Sequence, residues 1–114
     1  MIAIASDHGG LEVKEEIKIF LQSSGQTVAD LGTNSSDSVD YPDLGVDLSK
    51  RVASGEFERG ILVCGTGIGM SIVANKVSGI RAALVGDIFS ARMSKEHNNA
   101  NVLVIGGRVT GKGL

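Results

Sequence analysis

The sequence predicts an α/β protein: a three-layer α/β/α fold with a five-stranded parallel sheet, formed as a single domain over residues 1–114. Two observations lead to this prediction. Short apolar runs alternate with segments of helical periodicity along the whole chain, in the order βαβαβαβαβ. Glycine is frequent, with 16 residues against one proline, and the glycines lie between the apolar runs, where strands turn into helices.

The first apolar run, residues 2–5, predicts a strand, and it lacks the basic start of a secretion signal. Residues 11–23 predict a helix because apolar side chains recur there at helical spacing. These apolar positions are Val13, Ile17, Phe20 and Leu21. Lys14 and Lys18 are expected elsewhere on the helical wheel. Gly25 is expected just beyond the helix, where glycine commonly adopts a left-handed backbone.

A second strand is predicted over residues 27–31, and the polar residues 32–38 predict a loop. Pro42 and Asp43 are typical of a helix start, so a second helix is expected from there. Its apolar stripe consists of Leu44, Leu48 and Val52. The third strand, residues 60–64, is apolar throughout, which indicates burial on both faces of the sheet.

The remaining elements alternate in the same way. They are a helix over residues 69–76, a strand over 80–85, a helix from Asp87 to about His97 and a strand over 101–105. Thr110 is typical of an N-cap and predicts a further helix that the 114 residues do not contain. We expect a missing carboxyl-terminal segment or a partner chain to cover that face of the sheet.

Ligands of a parallel, Rossmann-like sheet bind outside the carboxyl ends of its strands. Polar and glycine residues collect at these predicted ends. They are Asp7 and His8 after strand one, residues 64–69 after strand three, Asp87 after strand four and Arg108 after strand five. His97 is expected to join them at the same sheet edge. The sequence therefore predicts a site for a small molecule at this edge.

Composition excludes several other functions. The net charge is −2, aromatic residues make up 4% and tryptophan is absent, which argues against nucleic acid and anionic membrane surfaces as partners. No apolar run reaches 18 residues, so no transmembrane helix is expected. A single cysteine cannot form an internal disulfide, which fits a cytoplasmic protein.

The segment after the third strand carries the strongest chemical signal. Cys64 ends the apolar run, and Gly65, Gly67 and Gly69 follow before a helix begins. A helix start favours the thiolate form of a nearby thiol, and its amides can bind an anion. The spacing departs from a dinucleotide-binding fingerprint, and no phosphate-binding lysine follows. The simpler alternative is a buried, inert Cys64 followed by a tight turn.

Each remaining candidate also has a simpler interpretation. Asp87 could bind a ribose or only cap a helix, and His97 could transfer protons or only end one. Asp7 and His8 could orient a hydroxyl-rich ligand or merely form a turn. Arg108 could bind a phosphate or be a surface charge. No metal site is expected, since two histidines and one cysteine are scattered without ligand spacing.

Taken together, the motifs resemble one family. The matching stretches are residues 4–10 (IASDHGG), 39–43 (VDYPD), 60–71 (GILVCGTGIGMS), 74–76 (ANK), 79–83 (GIRAA) and 97–101 (HNNAN). In this order they resemble the B-type ribose-5-phosphate isomerases and their relatives that act on galactose 6-phosphate and other sugar phosphates. The resemblance extends over nearly the whole chain.

This resemblance implies cofactor-free and metal-free interconversion of ribose 5-phosphate and ribulose 5-phosphate through a cis-enediolate. By the same resemblance, Cys64 is the base that moves a proton between C1 and C2, and Thr66 and His97 open the sugar ring. The residues implied in substrate binding are Asp7, His8, Tyr41, Gly65, Gly67, Ile68, Gly69, Ser71, Asn98 and Arg108. Family members are homodimers or homotetramers whose active sites are shared between chains.

The family also carries about 30 further residues, with two more phosphate-binding arginines, so this chain is expected to lack a carboxyl-terminal segment. Cys64 favours a ribose-5-phosphate enzyme, because the resemblance implies that galactose-6-phosphate isomerases lack this cysteine in at least one subunit type. The alternatives are an isomerase of allose 6-phosphate or galactose 6-phosphate, a non-catalytic phosphosugar-binding module, or a nucleotide-binding domain.

Overall fold

The computed structural model of this protein describes residues 1–32, 41–111 and 113–114, without the side chain of Tyr41. Five strands were found: β1 (Ile2–Ser6), β2 (Val28–Asp30), β3 (Arg59–Cys64), β4 (Ala82–Leu84) and β5 (Val102–Gly106). Four helices alternate with them: α1 (Leu11–Ser23), α2 (Tyr41–Ala53), α3 (Ile68–Asn75) and α4 (Ile88–Glu96). All strand pairs are parallel, which confirms the predicted fold class.

The strands lie side by side in the order β2-β1-β3-β5-β4. The chain moves from β1 outward to β2, returns past β1 to β3, continues past β5 to β4 and turns back to β5. Right-handed crossovers therefore place α1 and α4 on one face of the sheet and α2 and α3 on the other. The direction of winding reverses between β1 and β3, so the crevice at their carboxyl ends is where a ligand is expected.

Each face of the sheet has its own hydrophobic core. The core on the α2 and α3 side includes Ala3, Ala5, Leu48, Leu62, Met70, Ala74, Val102 and Val104. The core under α1 includes Ile2, Ile4, Val13, Ile61 and Val63. Residues 60–64 of β3 are buried throughout, as the continuous apolar run predicted.

Helix α1 ends as the sequence indicated. Gly25 has a φ of +84°, and its N–H donates to the Gln22 carbonyl at 3.1 Å. The N–H of Gln26 donates to the carbonyl of Leu21 at 2.9 Å. These two bonds form a Schellman motif, in which glycine allows the left-handed turn. The predicted position of Gly25 is confirmed.

The face that α1 buries differs from the predicted stripe. Val13 is buried and Ile17 and Leu21 pack beside it, but Phe20 is 66% exposed and Lys14 is fully buried. A helix turns by about 100° per residue, so a face centred between Ile17 and Leu21 includes Lys14 and excludes Phe20. The prediction that Phe20 lies in the core was therefore wrong.

The two edge strands are shorter than predicted. Strand β2 covers Val28–Asp30 rather than 27–31, and β4 covers Ala82–Leu84 rather than 80–85. Each pairs with one neighbour only, so the apolar residues at its ends lie outside the ladder. The predicted loop lies outside the described residues except for Gly32. No helix in the described part of the chain is long and apolar enough to cross a membrane.

Candidate active site

Cys64 is the last residue of β3, and its side chain is 5% exposed. Its sulfur accepts a hydrogen bond from the N–H of Gly67 at 3.1 Å. The next N–H, that of Ile68, donates to Thr66 Oγ1 at 3.2 Å, and α3 begins there. A sulfur that accepts an N–H at a helix start is better suited to carrying negative charge than one in an apolar site.

The turn after Cys64 requires glycine at position 67. Gly67 has a φ of +84°, and a Cβ there would contact Leu84 and lie 3.2 Å from the N atom of Gly106. Any larger residue would be strained by its backbone and crowded by its neighbours. Gly67 therefore allows the amide that faces the sulfur to be placed at the start of α3.

The loop after β5 holds this turn in place. The N–H of Gly107 donates to the Cys64 carbonyl at 2.6 Å, and the N–H of Arg108 donates to the Gly65 carbonyl at 2.9 Å. A Cβ on Gly106 would contact the Thr66 carbonyl. Gly106 and Gly107 were not among the predicted site residues. The sequence signal for them was a pair of glycines at the end of an apolar strand.

The loop after β1 meets the loops after β3 and β5 at the crevice where the winding of the sheet reverses. Asp7 is 9% exposed, and its Oδ1 accepts the N–H groups of Gly9 at 2.9 Å and of Gly10 at 3.1 Å. The segment therefore forms the turn that the simpler interpretation predicted. A Cβ on Gly9 would lie 3.4 Å from both the Gly65 N atom and the Arg108 Cζ atom. The loops after β1, β3 and β5 thus meet within a few ångströms.

The side chains of His8 and Arg108 are exposed at this meeting point. The side chain of Arg108 lies against Gly65, with Nη1 3.7 Å from a Cβ built there. No hydrogen bond or ion pair of its guanidinium occurs among the residues that the structure describes. An unpaired guanidinium beside helix-start amides is suited to binding an anion such as a phosphate.

His97 and Asn98 do not lie at this edge. Helix α4 runs antiparallel to the strands, so its end at His97 lies near the amino ends of the strands. The Arg81 side chain donates to the Asn99 carbonyl at 2.7 Å, and Gly60, at the opposite end of β3 from Cys64, donates to the Asn101 carbonyl. Cys64 lies four residues further along β3 than Gly60, which corresponds to about 13 Å. The expectation that His97 shares the sheet edge with Cys64 was wrong for a single chain.

The other predicted residues occupy varied places. Ile68 and Gly69 lie in the first turn of α3, and Ser71 is partly buried one turn further on. Tyr41 begins α2, and its side chain is not described. Asp87 caps α4 by accepting the Ser90 N–H at 2.6 Å, so the capping interpretation is confirmed. Bonds from the Ser90 backbone and hydroxyl hold the pKa of Asp87 below its usual value.

Two recesses among the described residues lie away from Cys64. One, of about 290 Å³, lies between α1 and α4 near the amino ends of the strands. The other, of about 430 Å³, is lined by Asn98, Arg81 and Asn75. Both are shallow hollows at the amino edge. The convergence of amides and charge at the carboxyl edge is the better guide to the chemistry, because catalysis depends on placed polar groups rather than on volume.

Comparison with known proteins identifies the family. A family model described as Ribose/Galactose Isomerase matches residues 2–114. The chain belongs to the ribose/galactose isomerase family. The solved structure named below shares the fold of this chain as well as its sequence.

Three relatives illustrate the range of the family. The protein YwlF of Bacillus subtilis is 54% identical over 114 residues, which cover 99% of this chain and 76% of YwlF. The galactose-6-phosphate isomerase subunit LacB of Clostridium acetobutylicum is 49% identical, covering 100% of this chain and 66% of LacB. The structure of Clostridium thermocellum ribose-5-phosphate isomerase B is 55% identical with a TM-score of 0.97, covering 99% of this chain and 76% of that one.

Proposed function

We propose that the protein interconverts ribose 5-phosphate and ribulose 5-phosphate through a cis-enediolate, with Cys64 as the base. The observation that carries this proposal is the contact between the Cys64 sulfur and the Gly67 N–H at the switch point. It combines a group that can take a proton with helix-start amides that can hold a developing oxyanion. An aldose–ketose isomerase needs both within one small site.

In the proposed reaction, Cys64 moves the proton and backbone amides of the same chain hold the negative charge. The Cys64 thiolate removes the proton from C2 of the open-chain aldose, the electrons form the C1–C2 double bond, and the C1 carbonyl oxygen becomes negative. Amides between Gly65 and Gly69 hold this oxyanion, and such donors contribute roughly 3 to 4 kcal/mol each. The thiol then returns its proton to C1, while the hydroxyl proton of O2 passes to O1. The product is the ketose.

Arg108, Asp7 and His8 are proposed to bind the substrate. The free guanidinium of Arg108 suits the phosphate, and the Asp7 turn faces the crevice where the sugar hydroxyls would lie. Ring opening is assigned to Thr66 and His97. His97 donates a proton to the ring oxygen as the bond from C1 to that oxygen breaks, and the O1 hydroxyl proton passes to water as the C1 carbonyl forms. Asn98, Tyr41 and Ser71 complete the proposed contacts.

Because His97 lies at the opposite edge of its own chain from Cys64, we propose that His97 and Asn98 reach the site from a second copy. The side chains of Ile68, Ile72 and Leu84 are 56%, 55% and 42% exposed. Ile68 follows the Gly67 turn directly, and Leu84 lies against that turn. Exposed apolar side chains grouped beside a site are typical of a protein interface. This supports a homodimer with shared sites.

A mixing experiment tests the shared site. Cys64→Ala and His97→Ala chains are each expected to be inactive alone. Random mixing by denaturation and refolding would give half mixed dimers, each with one intact site, and restore about a quarter of the wild-type activity. Activity that stays at the level of the parents, although mixed dimers form, would contradict the assignment of His97 to the partner.

The choice of ribose 5-phosphate rests on Cys64 and on the similarity to a ribose-5-phosphate isomerase B structure. A relative that is 49% identical is a galactose-6-phosphate isomerase subunit, so the substrates need direct comparison. We expect kcat/KM for ribose 5-phosphate to exceed that for allose 6-phosphate and galactose 6-phosphate. The reverse order would assign the site to another sugar phosphate.

A second candidate function is a phosphosugar-binding module without catalysis. The chain spans 76% of YwlF, and the resemblance places two further phosphate-binding arginines in the remaining part of the family. No turnover of any of the three sugar phosphates, together with stabilisation of the fold by ribose 5-phosphate, would favour this function. A ligand at 100 times its Kd adds about 2.7 kcal/mol to the stability of the native state.

A further inference from the structure

A partly buried cluster of charges lies beneath the edge strand β2. Lys14 of α1 is fully buried, and its Nζ donates to both carboxylate oxygens of Asp30 at 3.0 Å. Lys18, one turn further along α1, donates to Asp30 Oδ2 at 2.8 Å. A buried cation is costly without a matching anion, so the Asp30 carboxylate is needed at this place. The cluster also fixes β2 to α1.

The same carboxylate organises the chain that follows it. Asp30 Oδ1 accepts the N–H of Gly32 at 2.9 Å, which closes a turn with a φ of +119° at Gly32. The Gly32 carbonyl in turn accepts the N–H of Ser6 at 2.7 Å. Ser6 is the last residue of β1, and Asp7 follows it. Three consecutive hydrogen bonds thus connect the lysines to the start of the substrate loop.

On its other side, this end of β1 is held by the central strand. The Asp7 N–H donates to the Val63 carbonyl of β3 at 3.2 Å. The segment that carries Asp7 and His8 is therefore supported from two directions, by the Gly32 turn and by β3. Removing the support from Gly32 leaves one of the two in place, so the loop would shift without loss of the sheet.

We propose that Asp30 is a positioning residue: its carboxylate, bound by Lys14 and Lys18, fixes the Gly32 turn and so places Asp7 and His8 at the ligand crevice. This inference rests on the proposed function only through the binding role given to Asp7 and His8. A misplacement of about 1 Å can reduce catalytic efficiency by up to 100-fold, so a remote change can be measured in the kinetics.

The test compares Asp30→Asn with Glu56→Gln, which removes a carboxylate from the exposed ion pair of Glu56 with Arg51. The N–H groups of Gly9 and Gly10 both donate to Asp7, so their nitrogen and proton chemical shifts report where its carboxylate lies. Asp30→Asn is expected to move both resonances and to raise KM for ribose 5-phosphate roughly 10-fold with kcat within twofold. Glu56→Gln is expected to change neither.

Lys18→Met provides a milder change if Asp30→Asn does not fold, since Lys14 still binds Asp30. Lys18→Met is expected to change the Gly9 and Gly10 resonances and KM less than Asp30→Asn does. Lys18→Arg is expected to restore the wild-type values. Unchanged glycine resonances and KM in the folded variants, with only a lower melting temperature, would overturn the proposal. If the wild-type protein turns over no sugar phosphate, the proposed function fails. The glycine resonances then still decide whether Asp30 positions Asp7.

Discussion

Gly67→Ala tests how tightly the Cys64 turn is built. The native φ of +84° costs an alanine about 1 to 2 kcal/mol. A Cβ at this position would also lie 3.2 Å from backbone atoms of Ile105 and Gly106, which cannot rotate away. Overpacking of this kind adds about 1 to 3 kcal/mol. The expected loss in unfolding free energy is therefore about 2 to 5 kcal/mol.

Gly55→Ala is the matched control, because Gly55 has a φ of +87° with no atom within 4 Å of the added Cβ. Both changes restrict the unfolded chain equally, so the difference between the variants isolates the crowding. Thermal unfolding should place Gly67→Ala roughly 4 to 12 °C below Gly55→Ala. Sugar-phosphate turnover should fall in Gly67→Ala alone, because its amide faces the sulfur. Equal melting temperatures for the two variants would refute the close packing of the loops after β3 and β5.

Two further outcomes are expected. Burial acts to raise the pKa of Asp30, but hydrogen bonds from Lys18, Gly32 and Lys14 outweigh it and hold that pKa below the ordinary 3.8. The stability that this lowered pKa contributes is complete above pH 3.8, and it is lost as the pH falls through the pKa of Asp30 in the folded protein. The free energy of unfolding should therefore fall less on acidification for Asp30→Asn than for wild type. Arg108→Met should raise KM for ribose 5-phosphate roughly 10-fold or more without lowering the melting temperature, since the guanidinium binds no described partner; an unchanged KM would exclude Arg108 from the phosphate site.

The sequence was a good guide to the elements and to part of the site. Apolar runs and glycine positions predicted all five strands, and the edge-strand bounds alone were overestimated. Order in the sheet, with β5 between β3 and β4, depends on long-range pairing that local patterns do not encode. The pair of glycines at positions 106 and 107 is visible in the sequence, but the close approach of the Thr66 carbonyl to Gly106 is evident only in the fold.

Lys14 and His97 show two different reasons for wrong expectations. Lys14 was expected away from the apolar stripe of α1, but the Asp30 carboxylate on β2 makes its burial possible. His97 was grouped with Cys64, although a residue between a helix and the next parallel strand must lie at the amino edge. That correction was available from topology alone. Because of it, we propose that His97 reaches Cys64 from a second chain rather than from the same one.

The most direct test of the central claim is isomerisation of ribose 5-phosphate in D₂O by the wild-type chain and by Cys64→Ala, analysed by mass spectrometry and NMR. We expect ribulose 5-phosphate that carries solvent deuterium at C1, because the Cys64 proton can exchange at the enediolate stage. We also expect no turnover by Cys64→Ala with its fold intact. Undiminished turnover by a folded Cys64→Ala variant would contradict proton transfer by Cys64.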